Sequence, residues 1–252
     1  MGAIANGMAV HGGLIPYAGT FLVFSDYMRG AVRVSALSEY PVIWVFTHDS
    51  IGVGEDGPTH QPVEHLGSLR IIPGLVTIRP ADANETAQAW RFAIKSRKPV
   101  AIILSRQKLP TIDRGVFASA EALAKGAYVL KDFGEDKPEM ILMASGSEVS
   151  LILSAAHKLV EEGVNVRVVS FPSWELFEQQ DPEYQESVLP TGNRKRLAVE
   201  AGSTMGWTRW VGDQGKVIGI DRFGTSAPGD KVMNAFGFSV ENIVQQALAL
   251  LK

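Results

Sequence analysis

Two rhythms of apolar residues alternate along the chain. Short runs at Pro41–Phe46 (PVIWVF), Leu75–Ile78, Pro99–Leu104 (PVAIIL), Met140–Ala144, Val164–Val169, Leu197–Glu200 and Val217–Ile220 have the length of buried strands. Between them lie segments with helical spacing: Phe21 to about Glu39 with Thr20 as candidate cap, Val63–Leu69, and Glu85–Ser96 capped by Asp82 or Asn84. Ser147–Glu161, with Ser147 as candidate cap, and Val240–Leu251 continue the pattern. The opening MGAIANGMAVHGG reads as the middle of a helix, with Met1, Ile4, Met8 and Leu14 separated by small residues.

Periodicity lapses over Gln107–Ser119 (QKLPTIDRGVFAS), where Pro, Gly and mixed charges carry no sustained apolar face. That stretch reads as a linker. The simplest organisation is therefore two α/β domains with mainly parallel sheets flanked by helices, joined near residues 107–124.

One loop breaks the apolar rhythm most sharply. THDSIGVGEDGPTHQP, Thr47–Pro62, packs two His, three acidic residues, three Gly and two Pro directly after the strand ending at Phe46. In open parallel sheets ligands gather beyond the carboxyl ends of strands. Gly52, Gly54 and Gly57 permit turns, and Pro58 and Pro62 stiffen them. Such a loop can aim His48, Asp56 and His60 at one cavity, where imidazoles donate and carboxylates accept from hydroxyls. A tight connection whose acids cap the next helix is the plainer alternative. The two His lie twelve apart in a loop, which is poor spacing for a metal site.

Two further groups stand out. In TFLVFSDYMRGAVR, Phe21, Phe24 and Tyr27 recur every third residue and would share a broad face, stepping about 60° around a helix. They read as core or as a surface for stacking a flat heterocycle; Asp26 and Arg29 on that helix read as an i,i+3 ion pair. In LSRQ, Arg106 follows a strand and reads either as an anion grip or as an interdomain salt bridge. ASGSE (Ala144–Glu148) joins a strand to a helix, where Ser147 caps the helix or the turn holds an anion. His157, Trp174, Trp207 and Trp210 read as packing or surface residues.

Composition narrows the classes. The chain has 252 residues, 46% hydrophobic and 20% charged, as in ordinary globular proteins. A net charge of −3 gives no reason to expect a nucleic-acid or anionic-membrane partner. With no cysteine there is no disulfide or thiolate metal site, which fits a reducing compartment. No apolar run reaches transmembrane length, and the amino terminus lacks the basic region of a signal peptide.

Taken in order, MGAIANGMAVHGG, TFLVFSDYMRGAVR, THDSIGVGEDGPTHQP, RPADANE and LSRQKLP, followed by GSEV, VSFPSWELF, ESVLP, EAGSTMGW and GIDRFGTSAP, resemble the transketolase family over essentially the whole chain. The resemblance implies a thiamine-diphosphate pyrimidine-binding fold, partial, at residues 1–112, a linker at 113–124 and a transketolase C-terminal domain at 125–252. It implies transfer of a two-carbon ketol unit from a ketose phosphate to an aldose phosphate through a thiamine-diphosphate intermediate. By the same resemblance, Phe24 stacks on the aminopyrimidine with Phe21 and Tyr27 beside it. His48 and Arg106 bind the sugar phosphate, and Asp56 reads the hydroxyl next to the reacting carbonyl. His60 is the catalytic and substrate-binding residue beside the reacting carbons. Homodimers, the pentose phosphate or carbon-fixation cycle, and a cytoplasmic or (in plants) chloroplast-stroma location are implied too. Related thiamine enzymes, such as 1-deoxyxylulose-5-phosphate synthase or a dehydrogenase β subunit, carry only the GEDGPTHQ-like centre of the long loop.

The family places an Arg-Glu-His-Ala tetrapeptide just before the methionine matching Met1, and its glutamate protonates the aminopyrimidine. Together with the diphosphate domain that holds the divalent metal (Mg or Ca), it lies outside this sequence. The expectation is an incomplete portion, inactive by itself, or the interaction half of a split enzyme that pairs with the missing domain.

Overall fold

Strands buried on both faces form the centre of each of two sheets. The computed structural model describes residues 1–252. In the first sheet, β1 (Tyr17–Phe21), β2 (Ile43–Thr47), β3 (Val76–Ile78) and β4 (Val100–Ile103) lie in the order β1-β2-β4-β3, all parallel. β4 is buried throughout, as apolar strands covered by helices on both sides should be. The helices are α1 (Gly2–His11), α2 (Ser25–Leu37), α3 (His65–Arg70) and α4 (Ala83–Ser96). Asp82 caps α4, accepting from the Glu85 N–H at 2.8 Å.

The register controls where loops emerge. Phe21 lies opposite Thr47, and Phe46 opposite Ile103. The carboxyl ends of β1, β2 and β4 are therefore level, and Phe21, the Thr47–Pro62 loop and Arg106 leave along one edge.

One expectation fails in this region. Thr20 caps no helix; it sits in β1, paired with Phe46. A 3₁₀ turn, Leu22–Phe24, follows, and α2 starts only at Ser25. Tyr17, Thr20 and Phe21 are good strand formers, and pairing with β2 satisfies backbone groups that would otherwise be left at the sheet edge.

The second sheet has the order β5-β7-β6-β8-β9, from β5 (Tyr128–Phe133), β6 (Met140–Ala144), β7 (Val166–Ser170), β8 (Arg196–Val199) and β9 (Lys216–Ile218). All pairings are parallel except β5 with β7. The apolar-run pattern contains no counterpart of β5, whose residues alternate between buried and more exposed positions around a bulge. Helices α5 (Glu148–Glu161), α6 (Trp174–Glu178), α7 (Pro182–Val188), α8 (Thr208–Val211), α9 (Gly229–Ala235) and α10 (Val240–Leu251) cover it. Ser147 makes no side-chain cap to α5; its hydroxyl donates to Glu148 Oε1 at 2.5 Å. Trp174, Trp207 and Trp210 are buried, with edge-to-face contacts among themselves. His157 is exposed, edge-on to Phe133.

The two layers share their cores. Ile51, Val63, Ala81 and Ile112 belong to the apolar cluster built on the second sheet, and Leu123 and Leu176 pack with Ile78 and Ala89 beneath the first. The segment Gln107–Ser119 has no regular element but is moored at Ile112, whose N–H donates to Asp82 Oδ2 at 2.9 Å. No helix is long and apolar enough to cross a membrane.

Candidate functional site

At the carboxyl edge of the first sheet, aromatic and imidazole rings form one surface. Phe21 and Phe24 lie 5.8 Å apart and nearly parallel, and Tyr27 continues the row 5.9 Å from Phe24. The three come from a strand end, a 3₁₀ turn and a helix in turn, not from one helix face, yet they adjoin as expected. Tyr27 is 87% exposed, and Phe21 and Phe24 are only partly buried, so this is a surface rather than core. A cavity of about 330 Å³ opens among Met1, Thr20, Phe24, Tyr27 and Met28.

The loop after β2 lays both its imidazoles on this surface. His48 stacks on Phe21 with ring centres 3.6 Å apart. His60 stands edge-on to Phe24 at 5.6 Å. Each Nδ1 lies 2.9 Å from the hydroxyl of the preceding threonine, Thr47 or Thr59. Each Nε2 is left without a protein partner and is available to a ligand. The His48 pKa lies below its ordinary value, first through burial and then through the positive charge of Arg106, with Asp56 and Asp49 working the other way. Neutral imidazole, able to donate or accept, is therefore its favoured form at neutral pH.

Arg106 and Asp56 are both exposed and make no ion pair, although the field of each reaches His48. The salt-bridge reading of Arg106 is thus not the structure found. Nor do Asp26 and Arg29 pair along α2; both reach across to α3. Asp26 Oδ2 is 3.2 Å from His65 Nε2, and Arg29 donates to the Ser68 carbonyl at 3.2 Å.

The loop's shape depends on the second domain. Gln61 Nε2 donates to the Gly54 carbonyl within the loop (2.8 Å) and to that of Thr225 across the seam (2.9 Å). Ser226 Oγ donates to the Glu55 carbonyl at 2.6 Å. Gly54, at φ +84°, passes so close that an added Cβ would lie 2.9 Å from the Gly229 nitrogen.

Behind the loop runs a buried charged network that pattern reading did not assign. Arg79, 0% exposed, bonds Asp49, Ser145 and Glu148. Burial works against its charge, but the carboxylates of Glu148 and Asp49 outweigh this and keep it protonated. Arg70 grips Glu200 with two bonds of 2.7 and 2.8 Å while lying over the Trp174 ring. Burial opposes the Glu200 charge, yet Arg70, Arg79 and the Ser145 hydroxyl bring its pKa down to about 2. The ASGSE turn therefore neither caps α5 nor awaits an anion; it wraps Arg79. A single charged residue closing an apolar run, as in VTIR and LAVE, is the signal that marks these positions in the sequence.

A larger cavity, about 560 Å³, lies at the opposite edge of the first sheet, beside Val76 and Pro99 at the strands' amino ends. Arg70 lines it from the buried network, but none of the residues of the ring-bearing edge (Phe21, Phe24, Tyr27, His48, Asp56, His60, Arg106) does.

Comparison with known proteins covers both domains. Residues 1–111 match the family described as transketolase, pyrimidine binding domain, and residues 126–239 the transketolase-like TK C-terminal domain. The chain is 54% identical to a transketolase of Halalkalibacterium halodurans, over all of its own length and 38% of that protein's. Transketolase from Leishmania mexicana superposes with a TM-score of 0.93 at 44% identity, covering 99% of this chain and 36% of that one. A Pichia stipitis transketolase in complex with sedoheptulose 7-phosphate gives 0.92 at 43%, covering 100% and 36%. The fold also matches a split-gene transketolase described as an inactive β4 tetramer, with a TM-score of 0.81 at 24% identity, covering 99% of this chain and 80% of that one. The chain thus spans little more than a third of the length of the bacterial relatives it matches.

Proposed function

Because the chain belongs to the transketolase family, we propose that it supplies the pyrimidine-facing and sugar-facing side of a ketol transfer between a ketose phosphate and an aldose phosphate. The observation that carries this reading is the ring surface of Phe21, Phe24 and Tyr27, edged by the free Nε2 atoms of His48 and His60.

A flat heterocycle fits the surface. Phe24 offers a partly exposed face beside an open, mostly apolar cavity, with Tyr27 flanking it. Thiamine diphosphate, when bound, supplies the carbanion chemistry that no side chain here can provide. The divalent metal that accompanies it belongs to a diphosphate-binding portion beyond these residues.

The side chains present then divide the remaining work. Arg106 and His48 bind the substrate phosphate and set the sugar's direction along the edge. His60 hydrogen-bonds the oxygens at the reacting carbons through Nε2 and stabilises charge developing there. Asp56 accepts from the hydroxyl next to the reacting carbonyl, so Asp56→Ala should relax the preference between epimeric sugars. Equal selectivity in variant and parent would remove Asp56 from that role. The open ring surface is also where a second subunit of a homodimer closes the cleft.

Reconstitution tests the whole reading. The chain is combined with the remaining amino-terminal part of a bacterial transketolase, thiamine diphosphate and Mg²⁺, and assayed for ketol transfer from sedoheptulose 7-phosphate to an aldose phosphate. Activity in the mixture, and in neither part alone, is expected. A stable complex that binds cofactor but transfers nothing would overturn it. A second reading, an interaction half of a naturally split enzyme, draws on the two-domain likeness to the split-gene chain; it predicts assembly of this chain without partner and without activity.

A further inference from the structure

His48 holds a backbone conformation that is uncommon for any residue with a Cβ. Its φ of +61° lies in the left-handed region, where a residue with a Cβ persists only when its surroundings over-determine it. Stacking on Phe21 restrains the ring, but the backbone needs an anchor. Asp49, the next residue, is 3% exposed and ion-paired to Arg79, whose Nε and Nη2 approach its Oδ2 at 2.9 and 2.8 Å.

Arg79 in turn is held by the second domain. Its Nη1 donates to the Ser145 carbonyl at 2.8 Å and to the Glu148 carboxylate. Glu148 also accepts from the Ala201 N–H at 2.9 Å. The fit admits no slack, since a Cβ on Gly146, at φ +58°, would lie 2.5 Å from the guanidinium carbon.

We propose that Arg79 is a positioning residue: locked by Ser145 and Glu148 of the second domain, it pins Asp49 and so holds His48 flat on Phe21 at the ligand-facing edge. The second domain thereby shapes a site to which it contributes no ring or imidazole. The consequence for sugar binding rests on the ketol-transfer reading, whereas the anchoring itself does not.

The test uses the 252-residue chain and nuclear magnetic resonance. The ring protons of His48 report its stacking on Phe21, and amide exchange reports the order of residues 48–54. Asp49→Asn and Glu148→Gln are expected to move the His48 signals toward unstacked values and to speed exchange at least tenfold over those residues. The control is Glu85→Gln, which weakens a different buried contact across the seam, to Tyr128 (2.6 Å) and Ser170 (2.7 Å). It should lower stability and leave His48 where it is.

Unmoved His48 signals in both test variants overturn the proposal, and so does an equal displacement in Glu85→Gln. Should Glu148→Gln fail to fold, Asp49→Asn decides alone, because it keeps the Arg79–Glu148 contact. In reconstituted enzyme the same substitutions should raise the KM for the sugar phosphate more than they lower kcat. Parent enzyme without activity would count against ketol transfer and leave the His48 signals to judge the anchor.

Discussion

Arg79 and Arg106 follow neighbouring strands of one sheet, β3 and β4, and meet opposite environments. Arg79 turns inward and finds Asp49, Ser145 and Glu148, with no solvent exposure. Arg106 turns outward, exposed and without an ion-pair partner. The same contrast separates the domain seam from the ring-lined edge. At the seam, carboxylates and guanidinium groups are matched and dry, so their energy is already committed to fixing two domains against each other. At the edge, His48, His60, Asp56 and Arg106 keep free atoms that an incoming molecule can satisfy. Matched charges hold shape here, and unmatched ones are left for a ligand.

The contrast breaks most visibly if one partner is removed from the seam. Glu200→Ala strips the Arg70 guanidinium of both its bonds, and leaves Trp207 Nε1 and the Ser145 hydroxyl without their acceptor. Removing one partner from a buried pair destabilises by about 3–5 kcal/mol, chiefly because the surviving charge stays buried and unpaired. Urea unfolding should register that loss. A loss below about 1 kcal/mol would mean that water reaches the seam and that its charges are not committed as described.

A somewhat smaller effect separates two acids of the seam by pH. Burial raises the Glu175 pKa from 4.5 to about 7, with Arg70 offsetting only part of the rise. The folded chain therefore holds this proton more tightly than the unfolded one. Its contribution, up to about 3 kcal/mol, is complete below pH 4.5 and lost as pH rises through 7. Glu200, lowered from 4.5 to about 2, has the opposite sign: its contribution is present above 4.5 and lost as pH falls through 2. Unfolding free energies measured from pH 4.5 to 8 should thus decline more in the parent than in Glu175→Gln. Parallel curves would show that Glu175 is ionised across that range and paired like its neighbours.

The two regions also differ in how far the sequence reveals them. The edge is legible because its signals are local: an apolar run ending at Phe46 gives way within one residue to a loop dense in Gly, Pro, His and acids. Phe21, Phe24 and Tyr27 are legible as a group, yet their three-residue spacing misleads about the element, since period alone does not reveal that β2 needs an edge partner. The central strands were readable from unbroken apolar runs, whereas β5, with its bulge and alternating burial, carries no such run. The seam is nearly invisible. Arg79 meets Glu148 across 69 positions and Arg70 meets Glu200 across 130, so no local pattern links them. What the sequence does show is an isolated charge at the end of an apolar strand, too costly to bury unless a partner arrives from elsewhere in the fold.

The smallest effect on folding comes from the edge, and it sharpens the comparison most. Arg106→Ala removes an exposed side chain that pairs with no acid, so unfolding free energy should change by no more than about 0.5 kcal/mol. In the reconstituted enzyme, the same substitution removes a charge-assisted bond to the substrate phosphate, of about 1.5–3 kcal/mol, which corresponds to roughly 10- to 100-fold in KM for the sugar phosphate. The His48 pKa should rise toward its ordinary value at the same time, because the Arg106 charge is, after burial, the largest of the causes that lower it. If Arg106→Ala instead unfolds the chain and spares sugar-phosphate affinity, the outward arginine is structural after all, and the division between matched and unmatched charge does not separate scaffold from site.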